Sequence, residues 1–452
     1  MVARSFWVET LGCPKNQVDS DKLTGTLLAD GLVAAPTADA ADLVVVNTCA
    51  FIEEARQESI DTVLALSDAR ADGARVVVTG CLAERYGDEL AEALPEADAV
   101  AGFGVPVTLT AKPSLRSGGR HALLAGDDGV PSLDLLNLPR PRSAAPWAYV
   151  KVAEGCDRAC GFCAIPSFRG PQRSRAVDDV LAEVDALGAA EIVLVAQDLA
   201  AFGRDQGRGE RRIVELVGAV AERVERVRLL YLYPSDLTDP LIEAILATGV
   251  PYFDLSLQHA SAPLLRRMRR WGDGDRFGAR IERIRAAEPG AAFRSSFIVG
   301  YPGETEADHD RLLAFVAEAS LDWCGFFAYS AEEGTYAAGL DGAVPAGLVA
   351  ERLAELRELQ DGITAARRDD LLGSVVEVLV DAPGEGRTYR EAPEIDGIVQ
   401  VPATLPIGSF ADVVVTDALG PDLVAEQVDE RGGAPRAHAR RGAAVPEGSG
   451  AR

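Results

Sequence analysis

From residue 5 to about 110, short apolar runs alternate with stretches of helical periodicity: "FWVET", a helix, "DLVVVNT", a second helix, "RVVVTG", a third. Strands joined through helices predict a parallel α/β sheet. The pattern breaks over residues 112 to 146, where "KPSLRSGG" and "LPRPRSAAP" read as a linker. Within it, "HALLA" and "LDLLNL" are the two candidates for docking on a neighbour. From residue 147 six strand candidates recur at roughly one βα unit each: "WAYVKVA", "EIVLVAQ", "VRLLYLY", "YFDLSLQ", "FRSSFIV" and "WCGFFAYS". Six units fall short of the eight of a full barrel, so the pattern predicts a partial (β/α)6 barrel with its chemistry where strands end.

A long helix follows, with Val349, Leu353, Leu356 and Ile363 on one stripe. Over residues 373 to 431 the period changes, and "SVVEVLVD", "GIVQV" and "ADVVVTDAL" suit a small antiparallel barrel. The last 21 residues lack apolar periodicity and are expected to be disordered. The predicted organisation is α/β: domain 1–112, linker 113–146, barrel 147–372, terminal β-barrel 373–431 and tail 432–452. No internal repeat is visible.

At 452 residues the chain has room for about three domains. The first residues run straight into a strand pattern, and no run of about 18 apolar residues occurs, so the expectation is a soluble, cytoplasmic protein without membrane contact. Acids outnumber bases by 70 to 45, a formal charge of -25. A field of that sign repels nucleic acid and steers basic partners, although composition alone favours plain solubility as its explanation. Only four of the 45 bases are lysine, a usage that reflects genome composition more readily than recognition chemistry.

Seven cysteines argue for ligand or redox roles over a disulfide framework. In "EGCDRACGFCAIPSFRG", Cys156, Cys160 and Cys163 occupy one loop after a predicted strand. Structural zinc takes four closed ligands, commonly as two Cys-X-X-Cys pairs that this chain lacks. A ferredoxin-type 4Fe-4S site also takes four, so three thiolates leave one iron open to a small molecule with its own amine and carboxylate. S-adenosylmethionine has both. The competing reading is a chance cluster of core cysteines. With Phe162 just before the last cysteine and a partial barrel around it, the triplet resembles that of the radical S-adenosylmethionine enzymes.

Cys13, Cys49 and Cys81 each lie just past the carboxyl end of their own predicted strand. Parallel strands bring those ends together, which predicts a second three-thiolate cage. Taken with "GCPKNQVDS", "NTC" and "TGC", the pattern resembles the amino-terminal domain of the methylthiotransferases. Cys324, inside the sixth barrel strand, reads as core.

That family has members acting on tRNA adenosine and members acting on ribosomal protein S-twelve. The stretches "CAIPSFRG", "VAQDLAAFG", "LSLQHAS", "FIVGYPGET", "YSAEEGTYAA" and "REAPEIDG" are similar to those of the second group, over about residues 5 to 431. The resemblance implies two 4Fe-4S clusters, the second donating sulfur, and S-adenosylmethionine. It also implies a TRAM-like terminal barrel, an aspartate β-carbon of S-twelve as target, and a small electron donor such as flavodoxin or ferredoxin. Residues 373 to 431 hold twelve acids against three arginines. Such a module suits docking of a basic protein better than of a phosphate backbone.

Strand-end side chains expected to hold nucleoside and target are Gln197, Asp198, Gln258, Arg294 and Ser296. Phe162 and the glycines of "VGYPGET", Gly300 and Gly303, join them, with Asn16 and Asn47 beside the second cage. Each has a structural counterpart reading: a rim hydrogen bond, an ion pair, or an ordinary turn. Where many radical enzymes carry a Gly-Gly-Glu that binds the methionine amine, this chain reads "VAQDLAAF", so that role is unassigned. Two other classes compete: a tRNA-modifying enzyme, and a non-catalytic iron-sulfur carrier, which normally has complete protein ligation.

Overall fold

The computed structural model describes residues 4–107, 134–207 and 209–428. It divides into two compact units, Met1–Ile363 and Thr364–Arg452. "HALLA" and the expected disordered tail lie outside the described residues.

The first unit opens on a parallel sheet of β1 (Ser5–Thr10), β2 (Leu43–Thr48) and β3 (Arg75–Gly80). The two-residue strands Val33–Ala34 and Ala99–Val100 extend it at the edges. All six residues of β2 are buried, as a central strand covered on both faces must be. Helix α1 (Pro14–Ala29) packs Leu23 and Leu27 against Phe6, Val45 and Val77. Helices α2 (Glu53–Ala69) and α3 (Cys81–Ala93) cover the other face through Val63, Leu82 and Leu90.

Six further parallel strands follow: β4 (Trp147–Lys151), β5 (Glu191–Val195), β6 (Arg226–Leu229), β7 (Tyr252–Gln258), β8 (Ala292–Val299) and β9 (Trp323–Ala328). They form two three-stranded sheets, β4-β5-β6 and β7-β8-β9, joined by a single parallel bridge between Leu232 and Leu255. The order is sequential, as the expected partial barrel requires. Its core is built on apolar side chains, with Phe253, Phe293 and Phe297 fully buried, and also encloses the Arg228–Glu191 ion pair. The predicted docking segment "LDLLNL" does dock: Leu136 is buried and its carbonyl accepts from Lys22 of α1 at 2.7 Å. Helix α4 (Ala346–Asp369) buries Leu353 and Leu356 of the predicted stripe.

The second unit is a closed five-stranded barrel of Val375–Ala382, Glu385–Arg387, Val399–Gln400, Phe410–Leu419 and Asp422–Gln427. Val378, Val380, Val413, Val415 and Leu423 fill it. Glu391 of "REAPEIDG" is buried, accepts from the Thr388 amide at 2.7 Å and pairs with Arg368 at 2.5 Å.

Candidate cluster and substrate site

Cys13 precedes α1, Cys49 follows β2 and Cys81 opens α3, so three adjacent parallel strands deliver their thiols to one edge of the sheet. The approach is close. At Gly12 (φ +95°) an added Cβ would lie 2.8 Å from Cys49 Cβ and 2.9 Å from its Sγ, which only glycine avoids. Asn16 is fully buried and binds the loops together. Its Nδ2 donates to the carbonyls of Leu11 at 2.9 Å and Thr48 at 3.1 Å, and Asn47 Nδ2 donates to its carbonyl at 2.9 Å. Arg169 donates to Asn16 Oδ1 and to Cys81 Sγ, both at 3.0 Å.

The three thiols differ electrically. Burial pushes Cys49 up to about 12, with the charges of Cys13 and Cys81 adding to it. Burial also raises Cys81 despite Arg169. At Cys13 burial is outweighed by Lys15 and then Arg169, and the thiol is lowered.

Cys156, Cys160 and Cys163 lie in a loop after β4, closed at its base by antiparallel pairing of Ala153–Glu154 with Arg173–Ser174. Gly155 turns the chain at φ +75°, where a Cβ would meet the Pro171 carbonyl at 2.1 Å. The Cys156 amide donates to the Gly170 carbonyl at 3.0 Å and the Gly161 amide to that of Met268 at 2.8 Å. Burial pushes Cys163 up to about 12 and Cys156 up to about 11, with Cys160 adding in both cases. One cation faces this loop, Arg270 Nη1 at 3.4 Å from Cys160 Sγ, whereas Arg158, within the loop, pairs with Asp198 at 2.5 Å and with Asp236. Both guanidiniums stack on Tyr233, at 3.8 and 4.0 Å.

The sheet domain and the barrel meet on a polar seam. Lys151 of β4 pairs with Asp19 of α1 and, at 2.7 Å, with Glu154, which also takes Arg169 at 2.7 Å. Ala164 and Phe168, from the cysteine loop, complete the apolar core of the sheet domain. Lys15 enters the barrel side over the ring of Tyr231, 3.3 Å from its centroid, and the charge of Cys13 reaches that phenol.

The same segments are matched by family models. Residues 5–102 match Uncharacterized protein family UPF0004, residues 150–316 the Radical SAM superfamily and residues 363–428 the TRAM domain. Ribosomal protein uS12 methylthiotransferase RimO of Kineococcus radiotolerans is 41% identical, over 94% of this chain and 97% of that protein. The protein of the same description from Moorella thermoacetica is 45% identical, over 90% of this chain and 96% of that one. The chain belongs to the uS12 methylthiotransferase family. Among solved structures, the radical S-adenosylmethionine methyltransferase TsrM of Kitasatospora setae is similar at a TM-score of 0.48 and 14% identity, over 72% of this chain and 73% of that one.

Membership of the radical SAM superfamily implies an iron-sulfur cluster and S-adenosylmethionine, and the thiols fit such a group. Within each triplet they sense one another's charge. Yet among the described residues no three His, Cys, Asp or Glu side chains are arranged to hold a single metal ion. A multi-iron cluster spreads its thiolates further than the roughly 2.3 Å bonds around one zinc permit. Among the described residues no helix is long and apolar enough to cross a membrane.

The other expected residues divide. Gln258 ends β7 with φ +73° at a register shift, and Arg294 and Ser296 lie half-buried on β8. Arg294 pairs with Asp254 at 3.3 Å. Gln197 Nε2 donates to Glu154 at 2.9 Å, and Asp198 is committed to Arg158. Phe162 packs at the edge of the barrel core, as does Cys324. The Gly300 amide donates to Glu304 at 2.6 Å, a Cβ there would lie 2.5 Å from Val349, and the Gly303 amide donates to the Gly342 carbonyl at 2.7 Å. Sequence reasoning did not find Lys15, Arg158, Arg169, Tyr231, Arg270 or Glu332. All but Arg270 lay within stretches that the sequence singled out, without a role of their own.

Proposed function

We propose that this chain methylthiolates the β-carbon of an aspartate of ribosomal protein uS12 (S-twelve), using S-adenosylmethionine and two 4Fe-4S clusters. The observation that carries the reading is the pairing of two three-cysteine sites, one at the ends of parallel sheet strands and one in the first barrel loop, within one compact unit. It is supported by the activity for which the relatives are named.

We assign one cluster to Cys156, Cys160 and Cys163 and the other to Cys13, Cys49 and Cys81. When bound, the first supplies the electron that cleaves S-adenosylmethionine to a hydrogen-abstracting radical, and the second supplies sulfur. The chain's own residues hold and shield that chemistry. Arg270 offsets the negative charge of the first loop and Arg169 does so beside Cys81, while the Arg158 amide donates to Cys156 Sγ. Gln258, Arg294 and Ser296 are proposed to orient cofactor and target from adjoining strands, with Phe162 and Gly300 assigned to the cofactor. The domain limits 1–112, 147–372 and 373–431 belong to the same proposal. The acidic barrel, twelve acids to three arginines, suits a basic ribosomal protein and repels RNA. A small flavodoxin or ferredoxin is the proposed electron donor.

The test incubates anaerobically reconstituted, reduced protein with S-adenosylmethionine and either uS12 or tRNA, following 5′-deoxyadenosine and added mass. Mass gained by uS12 is expected. Gain on tRNA alone overturns the reading in favour of a tRNA adenosine methylthiotransferase.

A further inference from the structure

We propose that Lys15 receives the side-chain carboxylate of the substrate aspartate, a role that rests on the uS12 reading. The chain writes arginine at nearly every basic position and lysine at only four. Three of those lysines lie among the described residues, and all three are buried: Lys15 is 8% exposed, Lys22 0% and Lys151 1%. Two have the partners a buried ammonium needs. Lys22 donates to the Leu136 carbonyl at 2.7 Å and to Glu183 at 3.1 Å, and Lys151 binds Asp19 and Glu154.

Lys15 differs from them. Its ammonium rests on the face of Tyr231, 3.3 Å from the centroid, and among the described residues no carboxylate or carbonyl accepts from it. The ring offsets part of the desolvation cost and leaves three N–H donors to be satisfied. The nearby carboxylate that could have served is occupied. Asp254 accepts from the Tyr231 amide at 2.9 Å through one oxygen and from Arg294 at 3.3 Å through the other.

The platform beneath Lys15 is held under strain. Tyr231 follows the carboxyl end of β6 with φ +65°, a left-handed backbone costly for an aromatic residue and typical of positions kept for a ligand. Lys15 itself sits in the first turn of α1, two residues from Cys13, and rests on Tyr231, whose amide shares Asp254 with Arg294 of β8, so an anion bound to it is near both the proposed sulfur-donating cage and that strand. A carboxylate brings the hydrogen-bond acceptors that this ammonium lacks, together with a full negative charge. A neutral amide of the same shape brings acceptors without charge. The geometry therefore assigns Lys15 to discrimination of aspartate from asparagine at the target position.

The experiment measures binding of fluorescently labelled uS12, and of uS12 with its target aspartate changed to asparagine, to the full-length reconstituted enzyme. Wild type is expected to prefer the aspartate form by about tenfold or more, and Lys15→Met to bind both forms alike. Lys15→Arg is expected to restore part of the preference. Iron content is measured on each variant so that loss of the cage is told apart from loss of discrimination. Wild type that fails to separate the two forms overturns the assignment, as does a Lys15→Met enzyme that still separates them. Loss of iron from Lys15→Met with the preference intact gives the lysine to the cage instead. Methylthiolation of uS12 by the wild-type enzyme, measured in parallel, tests the underlying reading separately.

Discussion

Arg85 of α3 donates to Glu332 of the segment after β9 at 2.5 Å, and Arg56 of α2 donates to the same carboxylate oxygen. Ser330 completes the contact, giving its hydroxyl proton to Glu332 at 2.6 Å and accepting from the Glu53 amide at 3.1 Å. One buried carboxylate, its side chain 2% exposed, thus fastens α2 and α3 of the cysteine-bearing sheet to the barrel. Removing it leaves Arg85 without a carboxylate and Arg56 with Glu53 alone, a loss of up to about 3 kcal/mol. Glu332→Ala is expected to lower methylthio product at least about tenfold while 5′-deoxyadenosine formation changes little. Parallel loss of both would refute a role in alignment.

The two cysteine triplets are expected to fail differently. Cys156→Ala should abolish cleavage of S-adenosylmethionine, whereas Cys49→Ala should keep it and lose only the methylthio product. Each variant should hold about four fewer irons per chain. Iron analysis with product chromatography checks this, and a Cys49→Ala enzyme unable to form 5′-deoxyadenosine contradicts it.

Gly155 and Gly249 share φ +75°, but only Gly155 is enclosed. Gly249→Ala meets nothing within 4 Å and should cost about 1 kcal/mol of backbone strain. Gly155→Ala drives its methyl into the Pro171 carbonyl at the base of the first cysteine loop, so it should lower the melting temperature further and lose iron from that site. Equal melting temperatures for the two variants would refute the steric account.

His259 supplies a pH dependence away from the cysteines. Its ring is fully buried, Nδ1 accepts from the Ser261 amide at 3.0 Å, and burial lowers it to about 3, with Asp308 opposing and His309 and Arg352 assisting. The folded state therefore keeps His259 neutral where the unfolded chain protonates it near 6.5. Its stabilisation is complete above about pH 6.5 and declines as the pH falls toward 3, by at most about 1.4 kcal/mol per unit. Urea unfolding from pH 7 to 5 should show this slope in the wild type and a shallower one in His259→Gln.

Much of this architecture was legible in the chain. The Val-rich runs of β2 and β3 announce a doubly covered parallel sheet, and the cysteines were placed because a residue after a strand has only one edge to occupy. The edge strands Val33–Ala34 and Ala99–Val100 are too short to leave a period. The strand read in "VRLLYLY" ends at Leu229, because Tyr231 turns left-handed and Leu232 bridges alone to Leu255. Least legible was the seam. Arg56 and Glu332 lie 276 positions apart, and no local pattern tells an arginine which carboxylate it will meet.

The terminal barrel closes on itself, with Val375–Ala382 paired to Phe410–Leu419, so its sheet offers no long continuous edge along which a visiting peptide could lie as an extra strand. Whatever this module grips must be read through loops and charged side groups. Its grip is therefore free to drift with surface composition while the scaffold beneath stays unchanged.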